Sequence, residues 1–146
     1  MQTGSSRHGG AMQLAELFSP DEVVKIRLAR QIGIRHAIVI TRPSLDRVGR
    51  RHYLATLQQI KADLEAAGMI FAGVESHPVT AEKTKLGLPG RDEEIENYIA
   101  AIQALGQIDV PLICYNWMAG IGWYRTKADV PARGGALTSE FDLEDA

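Results

Sequence analysis

The sequence predicts an α/β fold in which parallel strands are covered by helices. Three times along the 146 residues, a stripe of apolar residues at helical spacing is followed by a glycine and then by a short, continuously apolar run. Runs without alternation are typical of strands that are buried on both faces. Parallel neighbours require crossover connections, so this order predicts about four parallel strands with about three covering helices, residues 14–18 ending the first strand.

The first unit begins with a predicted helix N-terminus at Ser19. Ser19 can cap the helix, Pro20 suits its first position, and Glu22 can reach back to complete a capping box. The apolar stripe of this helix consists of Val24, Leu28 and Ile32. Gly33 is a suitable C-terminal stop, and residues 37–40 are expected to form the strand that follows.

The second and third units repeat this order. The second stripe consists of Leu54, Leu57, Ile60, Leu64 and Ala67. The third stripe consists of Ile95, Tyr98, Ile102 and Leu105. Gly68 ends the second helix before an apolar run at 69–74, and the third helix begins after Gly90 and precedes a run at 110–115. Pro111 is tolerated there because the first residues of a strand need not donate to the ladder.

Periodicity does not choose between two architectures. A complete eight-stranded barrel takes about 250 residues, whereas an open doubly wound sheet of about four or five strands fits the present length. Both architectures place binding residues at the carboxyl ends of the strands. The polar and aromatic segments after Ile40, Val74 and Tyr115 are therefore the expected location of a site.

Composition and charge exclude several classes of partner. The 16 basic and 18 acidic residues are mixed along the chain and give a net charge of −2, so neither nucleic acid nor an anionic membrane is expected to bind. No apolar run approaches the roughly 20 residues that span a bilayer. The single cysteine, Cys114, lies in an apolar run, which predicts a buried, inert thiol and a reducing, cytoplasmic setting. Residues 1–13 are expected to be a flexible N-terminal segment or an expression-tag remnant.

The segment after the apolar run at 69–74 carries the first candidate site residues. Glu75 and His77 are two positions apart and share a face if the strand continues, with Ser76 between them. An acid beside an imidazole could bind sugar hydroxyls or exchange a proton. The alternative is structural, in which Glu75 pairs with a neighbouring basic group and His77 caps a loop.

Amide, aromatic and guanidinium groups follow the next strand. Asn116 and Trp117 suit a polyhydroxylated ligand, because an aromatic face stacks on C–H groups and an amide reads hydroxyls. Core packing is the alternative for Tyr115, Trp117 and Met118. Arg125 lies beside aromatic residues and offers a planar fork of donors to a carboxylate, the alternative being a surface salt bridge.

Two further patterns give no site. A local basic cluster consists of Arg42, Arg47, Arg50 and Arg51. We interpret it as a solvated helix entry, since no aromatic residues are interleaved with it. The sequence contains neither a recognisable metal-ligand spacing nor a glycine-rich phosphate loop.

Taken together, these segments resemble the mannonate dehydratase family. The segments that match in order and spacing are VESHPV at 74–79, KLGLPGRD at 85–92, IENY at 95–98 and CYNWM at 114–118. The stretch WYRT at 123–126 is similar to the family's tryptophan-and-arginine segment beyond the fourth strand. The family's opening Arg-Trp-Tyr-Gly-Pro-like segment is replaced by LAELFSP at 14–20, which changes part of the substrate pocket.

The resemblance implies a xylose isomerase-like TIM barrel of which residues 14–146 form the N-terminal half. It implies a lyase that dehydrates D-mannonate to 2-keto-3-deoxy-D-gluconate in hexuronate catabolism. In that family manganese or iron(II) polarises the substrate, and a base takes the proton next to the carboxylate. The metal ligands are histidines, a cysteine and an aspartate from later strands, and this chain ends at Ala146 before them. We therefore expect it to bind no metal tightly, and the sequence assigns no catalytic residue.

Within this chain the resemblance implies a wall that binds a small sugar acid. The residues expected to form this substrate-binding wall are Glu75, Ser76, His77, Asn116, Trp117 and Arg125. A homo-oligomer is also expected. Two alternatives stay open: a sugar isomerase or epimerase of the same barrel superfamily, and a non-catalytic half-barrel whose open sheet edge assembles with another chain.

Overall fold

The computed structural model describes residues 12–19, 21–120 and 122–146. The expectations for residues 1–11 and for Pro20 therefore lie outside the described residues. No helix in the described segments is both long enough and apolar enough to cross a membrane.

A parallel four-stranded sheet forms the centre of the molecule, in the order β1-β2-β3-β4. Its strands are β1 (Ala15–Phe18), β2 (His36–Val39), β3 (Ile70–Glu75) and β4 (Ile113–Cys114). Neighbouring strands are all parallel, and each follows its predecessor in sequence. The predicted α/β class with parallel strands is therefore confirmed, although β4 is shorter than the predicted run at 110–115.

Helices connect the strands and pack against the sheet. They are α1 (Val23–Gln31), α2 (Arg42–Leu45), α3 (Tyr53–Ala66), α4 (Glu82–Leu86) and α5 (Arg91–Gln107). The three long helices α1, α3 and α5 are those that the sequence predicts. The short helices α2 and α4, which periodicity does not predict because they are about one turn long, follow β2 and β3 directly.

The entry to α1 differs in part from the prediction. The helix begins at Val23 with Glu22 at its N-cap position, so Ser19 does not cap it. The carboxylate of Glu22 nevertheless accepts a hydrogen bond from the Ser19 backbone N–H at 2.6 Å, which is the glutamate half of the predicted capping box.

The core lies between the sheet and the helices α3 and α5. Leu57 and Leu64 from α3, Ala101 and Leu105 from α5, and Val74 of β3 are almost completely buried in one hydrophobic cluster. Burial of a leucine side chain contributes about 1.5–3 kcal/mol relative to exposure, so this layer contributes strongly to stability.

The apolar stripe that predicts α1 is not the face that packs. Val24, Leu28 and Ile32 are 61%, 54% and 76% exposed, whereas Ile26 and Ala29 are buried. A periodic stripe identifies a helix but not the side on which a partner lies. Because β1 is an edge strand among the described residues, the outer side of α1 is left uncovered.

Two features of the C-terminal part differ from the sequence prediction. Cys114, predicted to be buried, is exposed because β4 pairs only with β3 among the described strands. After β4, an antiparallel hairpin consists of β5 (Lys127–Pro131) and β6 (Leu137–Glu140), which form a separate two-stranded sheet. No pattern in the sequence predicts this hairpin.

Candidate active site

A cleft of about 450 Å³ opens at the carboxyl ends of β2, β3 and β4, and we call it the polar cleft. The residues that line it are Arg42, Ser76, His77, Glu82, Lys85, Asn116, Met118, Gly120, Gly122 and Trp123. Its volume lies within the range of about 300–1,000 Å³ that is typical of small-molecule sites. The parallel sheet brings these residues together, because each segment leaves a strand at the same edge.

Hydrogen bonds between the loops fix Arg42 relative to His77. The buried hydroxyl of Thr41 donates to the Pro78 carbonyl oxygen at 3.4 Å. The carboxylate of Asp46 accepts from the backbone N–H of Thr80 at 3.0 Å and from its hydroxyl at 2.7 Å. The loop after β2 is thereby tied to the loop after β3 at two places, which holds the two walls of the polar cleft together.

Helix α4 carries Lys85 into the polar cleft, and its position is fixed from α5. The backbone N–H and the hydroxyl of Thr84 both donate to the Glu94 carboxylate, at 2.9 and 3.1 Å. Gly87 ends α4 in the left-handed region with φ of 67°, a conformation that favours glycine. Arg91, the first residue of α5, donates to the Gly87 carbonyl oxygen at 2.9 Å.

Ser76 leaves β3 in an uncommon conformation. Its φ is 65°, which residues other than glycine adopt only rarely, and its backbone N–H donates to the Cys114 carbonyl oxygen at 2.7 Å. Such strain is held by its surroundings and is found preferentially at functional sites. The turn at Ser76 ends the strand and directs the following residue, His77, inward.

His77 lies between the polar cleft and a second, apolar groove. Its side chain is almost completely buried, and its Nδ1 atom lies 3.3 Å from the Tyr98 hydroxyl oxygen. The His77 ring packs edge-on against Tyr98 at 5.6 Å between centroids and lies 6.1 Å from Tyr115. Its Nε2 atom is buried without a hydrogen-bond partner within the described parts of the chain. A buried ring nitrogen without a partner is costly, so a ligand atom at this position would be stabilising.

Burial lowers the pKa of His77 below its ordinary value of 6.5, because the charged imidazolium is poorly solvated there. The backbone of Asn116 and the carboxylate of Glu82 act in the opposite direction, while the cations Lys85 and Arg42 lower the pKa further. His77 is therefore neutral at pH 7, with one ring nitrogen a donor and the other an acceptor.

We expect the stability of the protein to depend on pH through His77. As pH falls below about 6.5, the unfolded chain binds a proton that the folded chain resists, so the free energy of unfolding decreases; above that value the contribution is complete. The variant His77→Gln should show a flatter dependence of the urea midpoint on pH. His52→Gln, at an exposed position, is the control. Parallel curves for the wild type and His77→Gln would contradict this assignment.

The structure brings three of the residues expected to bind substrate together. Ser76, His77 and Asn116 all line the polar cleft. Glu75 ends β3 beside this cleft, and its carboxylate accepts from the Ser76 hydroxyl at 3.4 Å. Trp117 lines the apolar groove instead.

Trp117 and Arg125 lie outside the polar cleft. The apolar groove of about 500 Å³ is lined by His77, Ala81, Thr84, Ile95, Tyr98, Ile99, Ile102, Ile113, Tyr115 and Trp117. Arg125 donates to the Ser139 hydroxyl at 3.1 Å and to the Tyr124 carbonyl oxygen at 2.7 Å. Its guanidinium also lies 5.3 Å from the ring of Trp123, which does line the polar cleft.

The charged residues of the polar cleft were missed by sequence reasoning. Arg42 belongs to the basic cluster interpreted as a solvated helix entry, yet it lines the cleft, whereas Arg50 of the same cluster pairs with Glu96 at 2.6 Å on the surface. Lys85 and Glu82 lie on the unpredicted helix α4. The available signal was Lys85 itself, the first residue of the KLGLPGRD segment.

The described residues do not fit a metal centre. No group of three or more His, Cys, Asp or Glu side chains within the described ranges is arranged to hold a metal ion. Manganese or iron(II) would require ligands other than these residues.

Comparison with known proteins identifies the family. The family model described as D-mannonate dehydratase (UxuA) matches residues 12–145. The chain belongs to the D-mannonate dehydratase family. The match extends over the parallel sheet, the polar cleft and the hairpin.

This chain aligns with part of the length of curated mannonate dehydratases from three bacteria. The mannonate dehydratase of Streptococcus equi subsp. zooepidemicus is 38% identical over 67% of this chain and 28% of its own length. That of Streptococcus uberis is 35% identical over 87% of this chain and 36% of its own length. That of Brachyspira hyodysenteriae is 32% identical over 83% of this chain and 34% of its own length. The chain thus spans about a third of the length of these relatives.

A solved structure confirms the fold. The crystal structure of mannonate dehydratase from Streptococcus suis serotype 2 superimposes with a TM-score of 0.72 at 23% identity, covering 93% of this chain and 39% of that one. The parallel sheet with its helices is therefore part of a TIM-barrel-type domain, as the resemblance implies. At this level of identity the likeness concerns the fold.

Proposed function

We propose that this chain supplies part of the substrate-binding wall of an enzyme that dehydrates D-mannonate to 2-keto-3-deoxy-D-gluconate. The observation that supports it best is the polar cleft at the carboxyl ends of the parallel strands, in a chain whose family is D-mannonate dehydratase. In barrels of this type the strand ends at that face carry the active site.

The reaction removes the proton on C2 and the hydroxyl on C3 of the sugar acid as one molecule of water. The resulting enol, with its hydroxyl on C2, then becomes the 2-keto acid. We propose that the hydroxyl of Ser76, the amide of Asn116 and the free ring nitrogen of His77 bind hydroxyls of the substrate in the polar cleft. Each group is of a type that can donate or accept a hydrogen bond from a sugar.

The three other predicted wall residues are proposed to act from the margin of the polar cleft. Glu75 positions the Ser76 hydroxyl, Arg125 orients Trp123 through its guanidinium, and Trp117 presents an aromatic face at the neighbouring groove. We assign no reaction step to manganese or iron(II), because the described residues do not form a site for either. A homo-oligomer in the cytoplasm is part of the same proposal.

The gene product that carries this chain is expected to convert D-mannonate to a 2-keto-3-deoxy acid when supplied with Mn²⁺ or Fe²⁺. Product formation is measured by a chemical assay for the 2-keto-3-deoxy acid and by NMR. D-mannose and D-fructose serve as parallel substrates, since their interconversion would show a sugar isomerase instead. Absence of turnover with D-mannonate would contradict the proposed reaction, and size-exclusion chromatography tests the oligomer.

A further inference from the structure

We propose that Lys85, together with Arg42, binds the carboxylate of the sugar acid in the polar cleft. This inference rests on the proposed function for the class of ligand. It adds to that function the pair of cations that would distinguish an acid from the corresponding neutral sugar. Lys85 and Arg42 are on α4 and α2, the two short helices that follow β3 and β2.

Lys85 is a buried cation whose charge is only partly compensated. Its side chain is 5% exposed, and its ion-pair partner, Glu82, lies at 3.2 Å with a side chain that is 52% exposed. An exposed carboxylate is screened by water and compensates a buried ammonium incompletely. A second anion inside the polar cleft would therefore be stabilised by Lys85.

Arg42 adds a second cation to the lining of the polar cleft. Arg42 lines the polar cleft, and its guanidinium forms no ion pair within the ranges that the structure describes. With Arg42, Lys85 and Glu82 charged and His77 neutral, the lining carries a single net positive charge. That balance matches a ligand with one negative charge, and a guanidinium can hold a carboxylate by two parallel hydrogen bonds.

Arg125 is less suited to this role than the sequence suggests. Its Nε and Nη1 atoms already donate to Ser139 and to the Tyr124 carbonyl oxygen, and its side chain is exposed beside Trp123. Arg42 is exposed as well, but two donors of Arg125 are already engaged and Arg125 does not line the polar cleft, so it has less to gain from a carboxylate there. Lys85 and Arg42 line the same cleft as Ser76, His77 and Asn116, which leaves those three to the hydroxyls.

The test compares a sugar acid with its neutral counterpart. Binding of D-mannonate and of D-mannose to the 146-residue chain is measured by amide chemical-shift titration for the wild type and for Lys85→Met. We expect Lys85→Met to weaken D-mannonate binding by about tenfold or more, as for loss of a charge-assisted hydrogen bond, and to leave D-mannose binding unchanged. Lys83→Met, on the same helix at an exposed position, is the control and should leave both unchanged.

Further variants keep the test decisive. Lys85→Arg keeps the charge and should retain most of the affinity for D-mannonate, whereas Arg42→Met should resemble Lys85→Met. If Lys85→Met does not fold, as judged by circular dichroism, Arg42→Met gives the same comparison. An equal loss for the acid and the neutral sugar, no loss at all, or no response of the wild type to D-mannonate would each overturn the inference.

The failure of this inference is distinct from that of the proposed function. Turnover of D-mannonate by the gene product with unchanged KM and kcat in Lys85→Met would remove Lys85 from the site and leave the dehydratase activity standing. Charge-dependent binding of D-mannonate without turnover would retain the carboxylate site and remove the reaction.

Discussion

Replacement of Leu57 by alanine is expected to lower the free energy of unfolding by about 3 kcal/mol. Leu57 is completely buried on the face of α3 that packs against the sheet. Truncation there removes apolar contacts and leaves a cavity that surrounding side chains fill only in part. Since a domain is typically stable by about 5–15 kcal/mol, the loss is a large fraction of the total. Urea titration followed by circular dichroism measures it.

The control for Leu57→Ala is Leu28→Ala in α1. Leu28 is 54% exposed, so its truncation should change the free energy of unfolding by less than about 0.5 kcal/mol. Similar losses in the two variants would show that α1 packs against more than the described structure provides, as in an oligomer. Equal stability of Leu57→Ala and the wild type would contradict the core described above.

The variant Gly73→Val is expected to lose about 3 kcal/mol, at the upper end of the range for overpacking. A Cβ atom on Gly73 would lie 3.0 Å from the Cβ of Leu112 and 3.1 Å from the Leu112 carbonyl oxygen. That oxygen accepts a hydrogen bond from the Val74 N–H at 2.9 Å and so joins β4 to β3. The side chain of Ile38, at 3.1 Å, can move, but the backbone of Leu112 cannot move without breaking this link. Thermal unfolding is the measurement.

Gly106→Ala provides the matched control for Gly73→Val. Gly106 lies in the last turn of α5, and an added Cβ would meet no atom within 4 Å. Alanine is the better helix former, so this variant should be unchanged or more stable by up to about 1 kcal/mol. A Gly73→Val variant as stable as Gly106→Ala would show that the β3–β4 contact is looser than described.

The hydrophobic periodicity of the sequence correctly predicts the long helices. The stripe in α3 predicts both the helix and its buried face, because Leu57, Ile60 and Leu64 are buried. In α1 the stripe predicts the helix but not its buried face, and Cys114 is exposed although it lies in an apolar run. The reason is the same in both cases: β1 and β4 are the edges of the described sheet, and a sequence pattern carries no information about which edge has a neighbour.

The sequence predicts where the site lies in the fold more accurately than it predicts which side chains contact one another there. Ser76, His77 and Asn116 line one cleft because they follow neighbouring parallel strands. The hydrogen bond partner of His77, Tyr98, lies 21 residues away on α5, a relation that no local pattern reveals. Periodicity does not indicate Lys85, because α4 has only five residues and is too short for a periodic signal.

By itself, the sequence determined the α/β class, the three long helices, the parallel order of strands and the edge at which polar groups gather. These properties follow from local periodicity and from the geometry of crossover connections. Only the tertiary structure decided that Lys85, with a buried side chain, lines the same cleft as Arg42 and that Arg125 lies outside that cleft. Burial and charge compensation depend on what surrounds a side chain in space, and those neighbours come from distant parts of the chain.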